Sequence, residues 1–281
     1  MLQHELDTAV RLARIASKSI LKFYAEGFET EEKIGTDNFS EPVTAADREA
    51  SRIIVEGLTA AFPDDGILSE EEIDDLERRI SKRRVWIIDP IDGTAGFVNH
   101  DGDFAVQIGL AIDGIAVLGV VLMPFHDLLN YATCGDGAFS VTGDGEAERL
   151  STSDLTDMPD LGLAVSRNHP SNRMSRIIQH FGFRNTIRRG SVGLKVALIA
   201  SREADLYIHP SPRTKLWDTC GPQVILEESG GRMTDLFGLE LRYDRRDLQN
   251  HNGIVASNGA AHKKIIQHLA PLLEEFGRTP Y

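Results

Sequence analysis

The sequence predicts a mixed α/β chain in two halves that meet near residue 150. Three patterns predict it. Over residues 2–26, Leu2, Leu6, Val10, Ala13, Ser17, Ile20 and Tyr24 recur at helical spacing on one face. Short apolar runs bounded by turn residues then dominate residues 85–133, as strands do. From residue 161 onward, short strand-like runs alternate with helical patterns.

In order, residues 34–41 form a Gly- and Asp-containing loop after the first helix. Thr44-x-x-Asp47 is a capping box that opens a second helix, with Ile53, Ile54, Leu58 and Ala61 on one face. Phe62-Pro63-Asp64-Asp65 ends it. Residues 85–88 read as a buried strand that runs into a turn at Asp89-Pro90. Residues 104–112 and 115–123 form a hairpin across Asp113-Gly114, and residues 128–133 add a third strand. The second half predicts strands at 161–166, 205–209 and 253–257, and helices at 171–181, 193–201, 217–229 and 261–276.

Composition excludes several function classes. A chain of 281 residues buries about three quarters of its unfolded surface and needs no disulfides for a core. Cys134 and Cys220 form no Cys-x-x-Cys and no disulfide framework, so a reducing cytoplasm is expected. The N-terminal MLQHELDTAV has no apolar segment of a signal peptide, and no apolar run reaches the ~18 residues of a membrane span. The net charge of −13 argues against a nucleic-acid partner, because such affinity comes from basic residues neutralising phosphates. A small anionic substrate stays open, since bound cations invert a local acidic field.

Chemistry concentrates in Trp86-Ile87-Ile88-Asp89-Pro90-Ile91-Asp92-Gly93-Thr94. Pro90 has no N–H to donate, and Gly93 permits positive φ or close backbone approach. The turn they force lets Asp89 and Asp92 converge around the Ile91 carbonyl. Two carboxylates and a carbonyl are hard oxygen ligands of the kind Mg²⁺ prefers. The N–H groups of Gly93 and Thr94 would follow as a seat for phosphate oxygens. Read singly, Asp89 and Asp92 could be ordinary turn residues, Ser69-Glu70-Glu71-Glu72 a solvated acidic run, and Asp47 and Asp218 helix caps.

Read together, these segments resemble a known family. Ile67-Leu68-Ser69-Glu70-Glu71, Asp89-Pro90-Ile91-Asp92-Gly93-Thr94 and Trp217-Asp218, preceded by Pro42-Val43-Thr44-Ala45-Ala46-Asp47, are similar in order to the signature of the inositol-monophosphatase superfamily. The resemblance implies a layered αβαβα sandwich of the inositol-monophosphatase and fructose-bisphosphatase type, with the metal and phosphate motifs in residues 1–150 and substrate recognition plus the last metal ligand in residues 151–281. It implies that Glu70, Asp89, the Ile91 carbonyl, Asp92 and Asp218 hold two or three Mg²⁺ ions, with Mn²⁺ as an alternative. Asp47 and Thr94 would orient and deprotonate an attacking water.

Within the superfamily, residues 165–220 resemble the 3′(2′),5′-bisphosphate nucleotidases, through Val165-Ser166-Arg167-Asn168-His169, Gly190-Ser191-Val192-Gly193-Leu194-Lys195 and Asp205-Leu206-Tyr207-Ile208-His209. That implies removal of the 3′-phosphate of 3′-phosphoadenosine 5′-phosphate. Glu70, Asp92, Gly93, Thr94, His169, Ser191, Lys195, His209 and Asp218 would contact substrate, with Lys195 as a point charge for the second phosphate. Ser211 stands where inositol monophosphatases carry a glutamate, seven residues before Asp218, which weakens an inositol substrate. An inositol, histidinol or other sugar or polyol phosphatase is the alternative enzyme, and a catalytically silent nucleotide-binding protein is the alternative of another class. The implied partner is a small phosphorylated molecule, with neither nucleic acid nor membrane involved and with room for a homodimer.

Overall fold

The computed structural model describes residues 2–34, 40–167 and 171–281. In chain order its elements are α1 (Gln3–Glu26), β1 (Thr30–Ile34), β2 (Ser40–Thr44), α2 (Ala45–Ala61), β3 (Gly66–Ser69), α3 (Leu76–Ser81), β4 (Arg84–Asp92), α4 (Thr94–Val98), β5 (Ala105–Ile112), β6 (Ile115–Met123), β7 (Leu128–Thr133), β8 (Gly137–Thr142) and β9 (Glu148–Arg149). Then follow β10 (Gly162–Ser166), α5 (Asn172–Phe181), β11 (Asn185–Arg189), α6 (Val192–Ala200), β12 (Leu206–His209), α7 (Leu216–Glu228), β13 (Arg232–Thr234), β14 (Ile254–Ser257) and α8 (His262–Glu275).

Strand alternation sorts these elements into five layers. The first sheet has the order β3-β4-β5-β6-β7-β8-β9, and the second β11-β10-β12-β14-β13. On the first sheet, Trp86, Ile88, Val106, Ile108, Leu118 and Val120 bury one face against the apolar stripes of α1 and α2. The opposite face, through Ala105, Val121 and Met123, meets Leu194 and Ala197 of α6 and Val224 and Ile225 of α7. The second sheet packs Ala164, Tyr207, Met233 and Ala256 on the other side of α6. Its outer face, through Leu163, Val165, Leu206 and Ile208, is covered by α5 and α8. The result is the expected αβαβα sandwich, with α6 and α7 as the middle layer.

The middle layer lies unusually close to the first sheet. A Cβ on Gly119 would lie 2.1 Å from the Gly221 carbonyl oxygen, and one on Gly109 2.6 Å from Cys220 Sγ. Only residues without side chains let α7 descend this far onto β5 and β6. That descent fixes the height of Asp218 in the first turn of α7. Gly119→Ala is expected to destabilise the fold by about 1–3 kcal/mol, because backbone has to move to relieve the clash. Urea denaturation checks it; an unchanged midpoint would show that α7 can lift without cost.

Three local expectations are corrected. Residues 34–41 are not all loop, since β1 and β2 pair antiparallel with Glu31 opposite Val43. The strand expected at 85–88 continues to Asp92. Pro90 is tolerated within it because the ladder slips between Asp89 and Asp92. Finally, β3, α3, α4, β8, β9, β11 and β13 add elements that were not expected. Among the described residues, no helix is long and apolar enough to cross a membrane.

Candidate active site

The slip in β4 builds the centre of the site. Asp89 lies opposite Gln107 and Asp92 opposite Ala105, so three steps on β4 match two on β5. In a regular strand, residues three apart point to opposite faces. The extra residue of this bulge cancels that alternation, and both carboxylates turn to the face that carries Ala105 and the α6–α7 layer. The expected convergence of Asp89 and Asp92 therefore comes from a bulge, not from a turn that ends the strand.

Asp218 arrives on the same face from α7. Asp89, Asp92 and Asp218 each offer a ligand atom, and these atoms lie within 4.8 Å of one another. Asp89 is 1% exposed, and its Oδ1 has no hydrogen-bond partner. Burial, then the charges of Glu70, Asp92 and Asp218, push its carboxyl well above the usual carboxylate range. A buried anionic oxygen with no donor, beside two further carboxylates, is costly alone and suits a hard divalent cation. Glu70 follows β3, with its N–H donating to the Ile88 carbonyl at 3.2 Å, so it acts electrostatically on Asp89 from the neighbouring strand.

Asp92 is held by the second half of the chain. Its Oδ2 accepts from Gln107 Nε2, from Ser191 Oγ and, at 2.9 Å, from the Gly193 N–H. Ser191 also caps α6, accepting from Leu194 N–H at 3.2 Å. Burial raises the Asp92 carboxyl, while the Lys195 charge and these donors oppose the rise. Lys195 is not a solvated helix charge, for it is 1% exposed. Its Nζ donates to the Gly190 carbonyl at 2.6 Å and lies 4.8 Å from the centroid of the Tyr207 ring. Burial pulls its pKa down to about 8, against the pull of Asp92, Asp103 and Asp218.

Asp47 and Thr94 also meet. Asp47 occupies the third position of α2 and accepts from the Thr44 N–H at 2.8 Å and the Thr44 hydroxyl at 2.6 Å. Thr94 Oγ1 lies 3.3 Å from Asp47 Oδ1 and 3.0 Å from the Ile91 carbonyl oxygen. Burial raises Asp47 to about 6, opposed by its bonds to Thr44. Gly93 caps α4 with φ 91°, and a Cβ there would meet the Asp103 carbonyl oxygen at 2.6 Å. The helix bonds begin at the Gly96 N–H, which donates to the Gly93 carbonyl at 2.7 Å, so the Thr94 and Ala95 amides have no acceptor within the helix.

His209 sits at the end of β12, with its Nδ1 3.2 Å from the Tyr207 hydroxyl and its Nε2 2.8 Å from Ser211 Oγ. His169 lies outside the described residues. Sequence reasoning missed Gln107, although a single amide in the apolar run Ala105–Ile112 was a visible signal. It also missed Asp103, which is 3% exposed and had no local pattern to mark it.

Comparisons with known proteins agree with this architecture. The chain is 34% identical over 242 residues to the 3′(2′),5′-bisphosphate nucleotidase CysQ of Salmonella typhimurium, covering 86% of this chain and 95% of that protein. It is 29% identical over 278 residues to the fructose-1,6-bisphosphatase/inositol-1-monophosphatase of Thermotoga maritima, covering 97% and 98%. Among solved structures, Thermotoga maritima IMPase superposes with a TM-score of 0.82 at 28% identity, over 98% of this chain and all of that one. CysQ from Bacteroides thetaiotaomicron superposes at 0.77 and 28% identity, over 92% and 98%. The profile of the inositol monophosphatase family matches residues 1–274, and the chain belongs to that family of metal-dependent phosphatases of small phosphorylated molecules.

Proposed function

We propose that the protein is a Mg²⁺-dependent phosphomonoesterase that removes the 3′-phosphate of 3′-phosphoadenosine 5′-phosphate, leaving AMP and inorganic phosphate. The observation that carries the phosphatase reading is the trio Asp89, Asp92 and Asp218, with the unsatisfied Asp89 Oδ1 at its centre. The substrate reading draws on the similarity to the bisphosphate nucleotidases.

In this reading Asp89, Asp92, Asp218, Glu70 and the Ile91 carbonyl hold two or three Mg²⁺ ions. When bound, the ions lower the pKa of a water and neutralise charge on the phosphoryl group. The chain's own residues supply the proton path. Thr94 Oγ1 accepts a proton from the attacking water as its own hydroxyl proton passes to Asp47 Oδ1, 3.3 Å away. A carboxylate with a pKa of about 6 suits that task, being ionised at neutral pH yet basic enough to take a proton. The Gly93 and Thr94 amides hold phosphate oxygens at the start of α4. Ser191, Lys195 and His209 are assigned to the nucleotide side, and nucleotide contact by His169 rests on the resemblance alone. Ser191 and Lys195 there support Asp92 as well, through the hydroxyl bond and the buried charge.

The division near residue 150 is part of the same proposal. The first half carries the bulge and α4, and the second half presents Asp218 and α6. We also assign the protein to the cytoplasm, a reading supported by its two free thiols, Cys134 and Cys220.

A phosphate-release panel tests the function. It compares 3′-phosphoadenosine 5′-phosphate, inositol 1-phosphate, histidinol phosphate and fructose 1,6-bisphosphate, each with Mg²⁺ and with EDTA. The expected result is Mg²⁺-dependent release with kcat/KM for the bisphosphate nucleotide about tenfold or more above the others, equivalent to about 1.4 kcal/mol of transition-state preference. Inositol 1-phosphate turning over as well would sink the nucleotide reading. No Mg²⁺-dependent release from any of them would sink the phosphatase reading.

A further inference from the structure

Charge is distributed very unevenly in this acidic chain. Between Asp160 and Glu203 there is no aspartate or glutamate, yet that stretch holds seven arginines and Lys195. Several of the arginines are engaged away from the site. Arg176 pairs with Glu275 and Arg184 with Asp160. Two behave differently. Arg167 follows β10 and Arg189 ends the adjacent parallel strand β11, where Ser166 stands opposite Arg189, and both turn toward Asp103.

Asp103 is the fixed point of this arrangement. Its carboxylate accepts from the Gly190 N–H at 2.8 Å and from Arg167 Nη2 at 3.0 Å. Arg189 Nε lies 3.9 Å from it. Its carbonyl oxygen lies against both Gly93 and Gly96, where a Cβ on either would come within 2.6 Å. The same buried residue therefore touches the start of α4 in the first half and the loop before α6 in the second. Its carboxylate gathers the two guanidinium groups, while its carbonyl lies against Gly93 at the start of α4.

The guanidinium groups are not used up by this. Arg167 spends Nη1 on Asp101 at 2.9 Å and Nη2 on Asp103, and is about a third exposed. Arg189 is loosely held. Its Nη1 donates to the Arg188 carbonyl at 3.0 Å, Nη2 has no partner among the described residues, and the side chain is 36% exposed. The buried carboxylate holds Arg167 in place, and Arg189 beside it keeps a planar fork of donors that matches a phosphate as a point-charge lysine does not.

We propose that Arg189, with Arg167 beside it, reads the second anionic group of the substrate, the phosphate that is not cleaved, and that Asp103 is the positioning residue that aims them. This rests on the nucleotide bisphosphate reading above. It identifies a selectivity element outside the metal-binding carboxylates. In a chain of net charge −13, this acid-free segment is where a doubly phosphorylated ligand meets favourable potential.

The test is the ratio of kcat/KM for 3′-phosphoadenosine 5′-phosphate to that for 3′-AMP, which lacks the second phosphate. Both are assayed with Mg²⁺ on the full chain. Arg189→Gln is expected to lower the ratio about tenfold, chiefly through KM for the bisphosphate, and Arg189→Lys to recover part of it. Arg188→Gln removes the same charge from the neighbouring position, which strand alternation directs to the opposite face of β11. It is expected to leave the ratio within about twofold. A ratio unchanged in Arg189→Gln overturns the assignment, and so does an equal fall in Arg188→Gln, which would reduce the effect to the general field. A wild-type ratio near one also overturns the proposal, because the second phosphate is then not read, while the nucleotide reading stands or falls on the phosphate-release panel. A high wild-type ratio that Arg189→Gln leaves intact overturns the arginine assignment alone.

Discussion

Asp89→Asn is expected to abolish turnover while making the metal-free protein more stable. The two effects have one cause. Asp89 is buried, its Oδ1 lacks a donor, and Glu70, Asp92 and Asp218 crowd it with like charge. Without cations this repulsion opposes folding, and the asparagine amide can donate to the carboxylates around it. In the proposed reading the same carboxylate is a metal ligand, and a neutral amide would bind cations poorly. Turnover at saturating Mg²⁺ should fall at least about a thousandfold, as expected when a principal source of charge stabilisation is removed. In EDTA the melting temperature should rise about 2–4 °C, the shift produced by about 1 kcal/mol in a chain of this size. Retained activity would remove Asp89 from the metal site. A lower melting temperature in EDTA would show that Asp89 is satisfied rather than repelled.

Mg²⁺ is expected to stabilise the protein, and by more at about pH 7.5 than at about pH 5.5. Asp47, raised to about 6, and Asp89 and Asp92, both raised, bind protons more tightly folded than unfolded. Above the unfolded carboxylate value of about 4, the native state therefore holds more protons than the unfolded chain, and metal-free stability falls as pH rises through the folded values. Mg²⁺ competes with those protons and binds the ionised native cluster. At a concentration one hundred times its dissociation constant it would add about 2.7 kcal/mol. Differential scanning fluorimetry across pH, with Mg²⁺ and with EDTA, reads this directly. Calorimetric titration in two buffers of different ionisation enthalpy should also show proton release on binding. Equal stabilisation at both pH values would mean that the bound ion displaces no proton.

The arginine proposal and the metal cluster share a design. In each, a buried carboxylate from the first half is met by groups carried on α6, on α7 or at the ends of β10 and β11. Asp92 meets Ser191 and Gly193, and Asp103 meets Gly190 and Arg167. Catalytic competence and substrate preference are therefore both expected to depend on how the two halves dock.

The sequence by itself determined the helices α1 and α2, the β5–β6 hairpin and the order of the helices and strands in the second half, because their apolar periods and turn residues are local. Asp89 and Asp92 stood out through the Asp-Pro and Asp-Gly patterns, and Asp47, Glu70, Thr94 and Asp218 through the resemblance of separated segments to a family signature. Edge strand β11, with the sequence NTIRR, was illegible because it has no apolar alternation and exists only by pairing with β10. Tertiary structure alone decided that Asp89 and Asp92 share a face, since the bulge is defined against β5 and not within β4. It decided that Asp218 joins them, through the glycine contact that lowers α7 onto the sheet. It also decided that Lys195 is buried beneath Asp92 rather than solvated, and that Asp103 gathers two arginines. A local pattern fixes which way a side chain faces, but the charge and solvent it meets there come from segments far away in the chain, and only packing brings them together.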